Sequence, residues 1–356
     1  MLRALLALIL GLAALSPATA QAPTYRAVVP GAAIRLPGDH GAHPDFRTEW
    51  WYVTGWLTTD GGEQLGFQVT FFRSRPGAGE DNPSAFAPRQ ILFAHAALSD
   101  PRNGKLLHGQ RIARQGFGLA EASTKDMDLV IDDWTLRRRP DGRMVTAVRG
   151  EGFALDLGFQ PTQPAILQGA GGYSRKGPAA GQASYYYSVP HLKVSGQIVR
   201  GGKRSKVTGS AWLDREWSST LLDPRAVGWD WVGLNLDDGA ALMAFQVRDG
   251  AGRALWAGGS YRGPDGALTA FKPGDVRFST ERRWKSPRTG ATYPVERNLA
   301  VRLPAGQRVW RLKPLFDDQE LDSRASGGPI YWEGAVTTAG GRGYLELTGY
   351  ATPMKL

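Results

Sequence analysis

The 356-residue chain contains no cysteine, which excludes both a disulfide framework and lipid attachment through an N-terminal cysteine. Long apolar runs are also missing. The longest, Ala4 to Leu15, is 12 residues, short of the roughly 18 a membrane-spanning helix needs, and no extended amphipathic helical pattern occurs. Histidine is sparse, with five in all. Only His40 and His43, with Asp45 and Glu49 nearby, suggest a metal, and without a third histidine this Pro- and Gly-rich segment reads better as a surface loop or a plug over a barrel end. No metal or cofactor is expected.

At the N-terminus, Met1-Leu2-Arg3, the apolar run and Ala18-Thr19-Ala20 read as a signal peptide over residues 1–20. Export without any demand for oxidation predicts a soluble periplasmic protein. Lysine and arginine number 43 against 33 acidic residues, a formal +10 that falls to +9 once Arg3 is removed. The cations are scattered, which argues against a nucleic-acid partner. They suit a solubilising surface or attraction to an anionic membrane face.

An internal repeat organises the rest. Sliding the chain by 178 positions superposes Trp51–Val69 on Trp229–Val247 with seven identities in nineteen, including Trp51/Trp229, Gly55/Gly233, Asp60/Asp238 and Phe67/Phe245. Each copy alternates apolar and polar residues around an Asp-Gly turn and so predicts a β-hairpin. Later, Gly196 aligns with Gly334 and Gly209 with Gly349. One β unit written twice, from about 30 to 216 and from 217 to 356, with many short strands and Gly-rich turns, predicts an all-β protein of antiparallel barrels or sandwiches. In this alignment Trp212 and Asp214 fall opposite Thr352 and Met354, so acid and indole belong to the first copy alone.

The stretch G-S-A-W-L-D-R-E-W, Gly209 to Trp217, is the densest candidate site. In an extended strand Trp212, Asp214 and Glu216 share one face. Two carboxyl groups in an aromatic setting raise one another's pKa and can hold a proton near neutrality for general acid work. The same residues lie at the junction of the copies, where an ion-pair latch is the structural alternative. Tyr185 and Tyr187, which share a face in the run Tyr185-Tyr186-Tyr187, are candidate partners for these carboxyls. Glu49, Trp50, Trp51, Tyr52, Trp217, Trp229 and Trp231 are candidate ligand-binding residues, and Glu49 needs a partner if buried. The loop from Ser74 to Gln90, with Phe86, is long enough to be a lid. A second stretch, Gln168 to Ala183, reads as flexible.

The motifs H-P-D-F-R-T-E-W-W-Y-V-T-G from His43, Y-Y-Y-S from Tyr185 and G-S-A-W-L-D-R-E-W from Gly209 resemble the AttH-like family, which includes carotenoid 1,2-hydratases. The resemblance implies two tandem lipocalin-like barrels, residues 21–216 and 217–356. It implies that Asp214 takes the place of the alkene-protonating aspartate, with Trp212 beside it and Tyr185 and Tyr187 where the hydratases carry aromatic or imidazole groups. It also implies association with lipoprotein-type ABC transporter systems. Two readings follow. One is an exported carrier of a hydrophobic lipid or isoprenoid; the other is a hydro-lyase adding water to an isoprenoid alkene.

Overall fold

A computed structural model describes residues 24–354, so the expected signal peptide lies outside the described residues. Among these the chain is built from antiparallel strands and four short 3-10 turns, with no α-helix. The first thirteen strands are β1 (Thr48–Thr59), β2 (Gln64–Ser74), β3 (Ile91–Ser99), β4 (Leu107–Arg114), β5 (Ala120–Ala122), β6 (Asp128–Ile131), β7 (Trp134–Arg138), β8 (Met144–Gly150), β9 (Phe153–Gln160), β10 (Ile166–Leu167), β11 (Tyr173–Arg175), β12 (Ala183–Arg200) and β13 (Lys203–Thr220). They form one sheet in the order β4-β3-β2-β1-β13-β12-β9-β8-β7-β6-β5, with β10 and β11 added on β12. The sheet curls until β3 and β4 approach β5, β6 and β8.

The second sheet holds β14 (Ala226–Leu236), β15 (Ala241–Asp249), β16 (Ala254–Arg262), β17 (Leu268–Ala270), β18 (Val276–Lys285), β19 (Thr292–Leu303), β20 (Gly306–Pro314), β21 (Glu320–Asp322), β22 (Ile330–Thr338) and β23 (Gly341–Leu347). Its order is β17-β16-β15-β14-β23-β22-β20-β19-β18, with β21 on β22. Strand for strand this repeats the first sheet without β5, β6 and one of the two short strands added on β12. In both units the first strand pairs with the last, which limits exposed edges. The change of sheet falls between Thr220 and Ala226, a few residues beyond Glu216.

The repeat is real in topology, but its register differs from the sequence alignment by one residue. In the first hairpin the Gly62 amide donates to Thr59 and in the second the Gly239 amide donates to Leu236. The structural equivalents are therefore Gly62 and Gly239, both at positive φ (82° and 87°), rather than Gly61 and Gly239. A slip of one residue turns every side chain to the other face. Trp51 and Phe67 accordingly fill the first barrel, whereas Trp229 and Phe245 lie on the outside of the second. Trp212 pairs with Thr54 and Glu346 with Trp231, so the second-unit counterpart of Trp212 is Glu346, and that of Asp214 is Thr348, in place of Thr352 and Met354.

The first barrel is packed with large side chains, among them Trp51, Phe67, Phe159 and Tyr187. The lead-in around His40 to Phe46 plugs one end. His40 and Phe46 are buried, the Trp51 indole donates to the His40 carbonyl at 2.8 Å and the Tyr187 hydroxyl lies 2.6 Å from His40 Nδ1. Beneath the plug, Glu49 is paired with both Arg73 and Arg215. Burial alone would raise the Glu49 pKa, but Arg215, His43 and Arg73 outweigh it and hold the group well below the usual carboxylate range.

Candidate functional site in the seam between the sheets

The two sheets pack outer face to outer face, and the densest contact between them is an aromatic layer of Tyr52, Trp56, Tyr186, Trp212, Trp231, Phe245 and Tyr344. Close approach depends on glycine. A Cβ on Gly66 would sit 2.6 Å from the Ala335 Cβ and 2.7 Å from the Tyr344 hydroxyl, and one on Gly233 would sit 3.2 Å from the Trp212 ring.

Register places an acid in this layer. Across β1, β13 and β12, Asp214 stands between Tyr52 and Ser188, and Glu216 between Trp50 and Tyr186. These side chains share the seam face, while Glu49, Trp51, Tyr185, Tyr187, Arg215 and Trp217 point into the first barrel. Asp214 is 3 % exposed. Its Oδ1 accepts from the Ser188 hydroxyl at 2.5 Å and the Trp212 indole at 2.7 Å, and its Oδ2 from the Tyr186 hydroxyl at 2.6 Å. Two of these donors, Tyr186 and Ser188, are themselves donated to. Trp231 reaches the Tyr186 oxygen at 3.0 Å, Gln168 reaches Ser188 at 2.9 Å, and Ser260 reaches Gln168 at 2.7 Å. Every link in the chain points toward Asp214, and Trp231 and Ser260 come from the second unit.

Burial raises the Asp214 pKa, the three hydrogen bonds oppose it and Glu216 adds to it, leaving the carboxyl at about 7. Glu216 is paired with Lys176 at 3.0 Å, whose ammonium also lies 4.5 Å from the Tyr186 ring and 4.3 Å from that of Phe245. Two carboxyls of the second unit face the same layer, Glu333 and Glu346, paired across β22 and β23. Burial, with Asp214 and Glu216 nearby and the Trp229 indole opposing, brings Glu346 to about 8. Burial and Glu346 raise Glu333 well above its ordinary value. Asp214, Glu333 and Glu346 thus share one layer in which burial and like charges favour the protonated form. A cavity of about 10 Å³ beside Trp56, Trp212 and Tyr344 has room for roughly one water molecule.

The family model for AttH-like proteins matches residues 27–350. The chain belongs to the AttH-like family. A solved structure from Nitrosomonas europaea assigned as an AttH protein is 53% identical, with a TM-score of 0.85, covering 91% of this chain and 99% of that one. Kievitone hydratase from Nectria haematococca shares the fold at 14% identity, with a TM-score of 0.66 over 93% of this chain and 97% of its own. CghA, solved with Sch210972, shares it at 11% identity and a TM-score of 0.52, over 92% and 96%. No curated protein sequence matches this chain.

In this AttH-like protein the seam gathers Trp50, Tyr52, Trp212, Asp214, Glu216, Trp229 and Trp231 from the sequence candidates. Tyr185 and Tyr187 do not meet the carboxyls. Their strand puts them on the barrel side, where the Tyr185 hydroxyl engages the Val29 backbone and Tyr187 engages His40. Glu49, Trp51 and Trp217 are likewise on the barrel side, and His43 stacks on Trp217 at 3.9 Å. Among the described residues no three His, Cys, Asp or Glu side chains group as a metal site. Instead His43 spans Asp39 and Glu49 at 3.2 Å each.

Sequence reasoning missed Tyr186, Ser188, Gln168, Lys176, Glu333 and Glu346. Alternation along β12 groups Tyr186 with Ser188, but only the pairing with β13 brings that pair to Asp214. The stretch from Gln168 to Ala183, read as flexible, is anchored in the seam through buried Gln168 and Lys176. Phe86 covers no part of the seam; it stacks on Phe117 at 4.9 Å, with Arg114 against both rings.

Proposed function

We propose that this AttH-like protein binds a hydrophobic, alkene-bearing molecule in the seam between its two units and hydrates it with Asp214 as the general acid. The observation that carries the reading is a fully buried carboxyl without a cation of its own, poised at about 7 among aromatic rings. A group with that pKa offers and recovers a proton at comparable cost at neutral pH. The proton moves from Asp214 to one alkene carbon, leaving a carbocation against the faces of Tyr52, Trp212 and Trp231. Attraction of a cation to such rings is worth about 2 kcal/mol when desolvated. A water oxygen bonds to the cation and loses a proton to the Asp214 carboxylate, so the net change is addition of one water. A fold neighbour named as a hydratase agrees with this reading through shared architecture alone.

Carriage without chemistry is the second reading. It is favoured by three donors that all stabilise the charged form of Asp214. Binding of an apolar molecule is common to both. Export to the periplasm and work beside an anionic membrane belong to the same proposal and rest on the leader expected from the sequence and on the basic balance, and work beside an ABC transporter rests on the family resemblance. Native mass spectrometry of protein purified without detergent should reveal a hydrophobic ligand. Incubation should add the mass of one water to that ligand with the wild type and not with Asp214→Asn. An unchanged ligand with both proteins leaves the carrier, and turnover surviving Asp214→Asn rules out the mechanism.

A further inference from the structure

Asp230 lies between Trp229 and Trp231 on β14 and therefore points away from the seam, into the second barrel. There it receives Gln246 at 2.6 Å, the Arg248 Nε at 2.9 Å, the Tyr350 hydroxyl at 2.9 Å, and Arg297. Burial would raise the Asp230 pKa, but Arg297 and Arg248 outweigh it and hold the group below its ordinary value. The carboxylate is saturated and fixes both guanidiniums in place.

Above this floor is a cavity of about 500 Å³ that opens between the β15–β16 turn and strands β18 and β19, within the size range of small-molecule sites. Its wall combines the apolar surfaces of Val276, Phe278, Pro294 and Tyr350 with five arginines: Arg248, Arg253, Arg277, Arg283 and Arg297. Only two carboxylates oppose them, Asp230 at the floor and Asp249, which holds Arg253 at 2.8 Å. Arg277 and Arg283 on the exposed rim make no ion pair among the described residues. Arg297, 4 % exposed, keeps its Nε without any hydrogen-bond acceptor. A buried cationic donor left unmatched is costly, and an anion at this position would satisfy it.

We propose that the mouth of the second barrel is a binding site for an amphiphilic organic oxyanion, a carboxylate or phosphate monoester carried on a short apolar body. The oxyanion meets Arg297 with Arg277 and Arg283 closing over it, and the apolar body lies along Phe278, Val276 and Tyr350. Guanidinium forks suit the planar carboxylate and the phosphate alike. The site is separate from the seam and needs no chemistry at Asp214.

Isothermal titration calorimetry of the full chain with octanoate, octyl phosphate, 1-octanol and inorganic phosphate tests this. Octanoate or octyl phosphate should bind at one site per chain and more weakly as salt rises. The anion that binds better identifies the head group. The double variant R277Q/R283Q changes only exposed rim residues and should weaken that binding about tenfold or more, while Asp214→Asn leaves it unchanged. Equal binding of 1-octanol, absence of binding by both amphiphiles, or indifference to R277Q/R283Q overturns the proposal. Inorganic phosphate binding as tightly as octyl phosphate overturns its apolar half.

Discussion

Asp214→Asn should change stability with a sign that depends on pH. The amide keeps the side-chain volume but replaces an acceptor oxygen with a donor, in a position where Tyr186, Ser188 and Trp212 all donate. At least one buried donor is left unmatched, at a cost of about 1–3 kcal/mol. In acid, below pH 4, Asp214 is protonated in both the folded and the unfolded chain, and that cost is all that separates the proteins. Between pH 4 and 7 the unfolded carboxyl ionises while the folded one, at about 7, still holds its proton. The folded state then binds more protons, so wild-type stability falls with rising pH by about 1.4 kcal/mol per unit, or about 4 kcal/mol across the interval. Asp214→Asn escapes that loss. The two proteins should match near pH 5 to 6, and the variant should be the more stable at pH 8. Urea unfolding of both proteins at unit steps from pH 4 to 9 reads the difference. A difference that stays constant over that range refutes a raised Asp214 pKa and the acid role with it.

Tyr186→Phe removes a hydrogen bond that lowers the Asp214 pKa, so the alkaline limb of any hydration activity, where Asp214 loses its proton, should move to higher pH by about one unit, measured as the pH profile of turnover. Gly66→Val should force the sheets apart at Ala335 and Tyr344 and cost about 1–3 kcal/mol, read by thermal unfolding together with loss of ligand retention. Glu49→Gln leaves Arg73 and Arg215 buried without their carboxylate. It should destabilise by about 3–5 kcal/mol across pH 5–8, with no change in the pH slope assigned to Asp214.

The β architecture, the doubled unit and the face shared by Trp212, Asp214 and Glu216 were legible because alternation and turn residues are local signals. What a single strand does not record is its register against its neighbours. That is why Tyr185 and Tyr187 stood in for Tyr186, and why identical residues at a shift of 178 suggested that Trp51 and Trp229 occupy matching places when they face opposite ways. Glu333 and Glu346 enter the site only because the outer faces of the two sheets pack against each other, and nothing in the spacing of either strand records which outer face meets which. Lys176 and Gln168 were hidden for a related reason. A Gly-rich stretch reads as loose until the groove that receives it is known.

The most direct measurement is a carbon-13 NMR titration of the aspartate carboxyls in the intact protein, with Asp214→Asn used to assign the resonance. The account predicts that the Asp214 carboxyl titrates near pH 7 and that its midpoint moves alkaline in Tyr186→Phe. A midpoint below about 5, in the range of an ordinary solvated or ion-paired aspartate, contradicts a proton held in the seam at neutral pH.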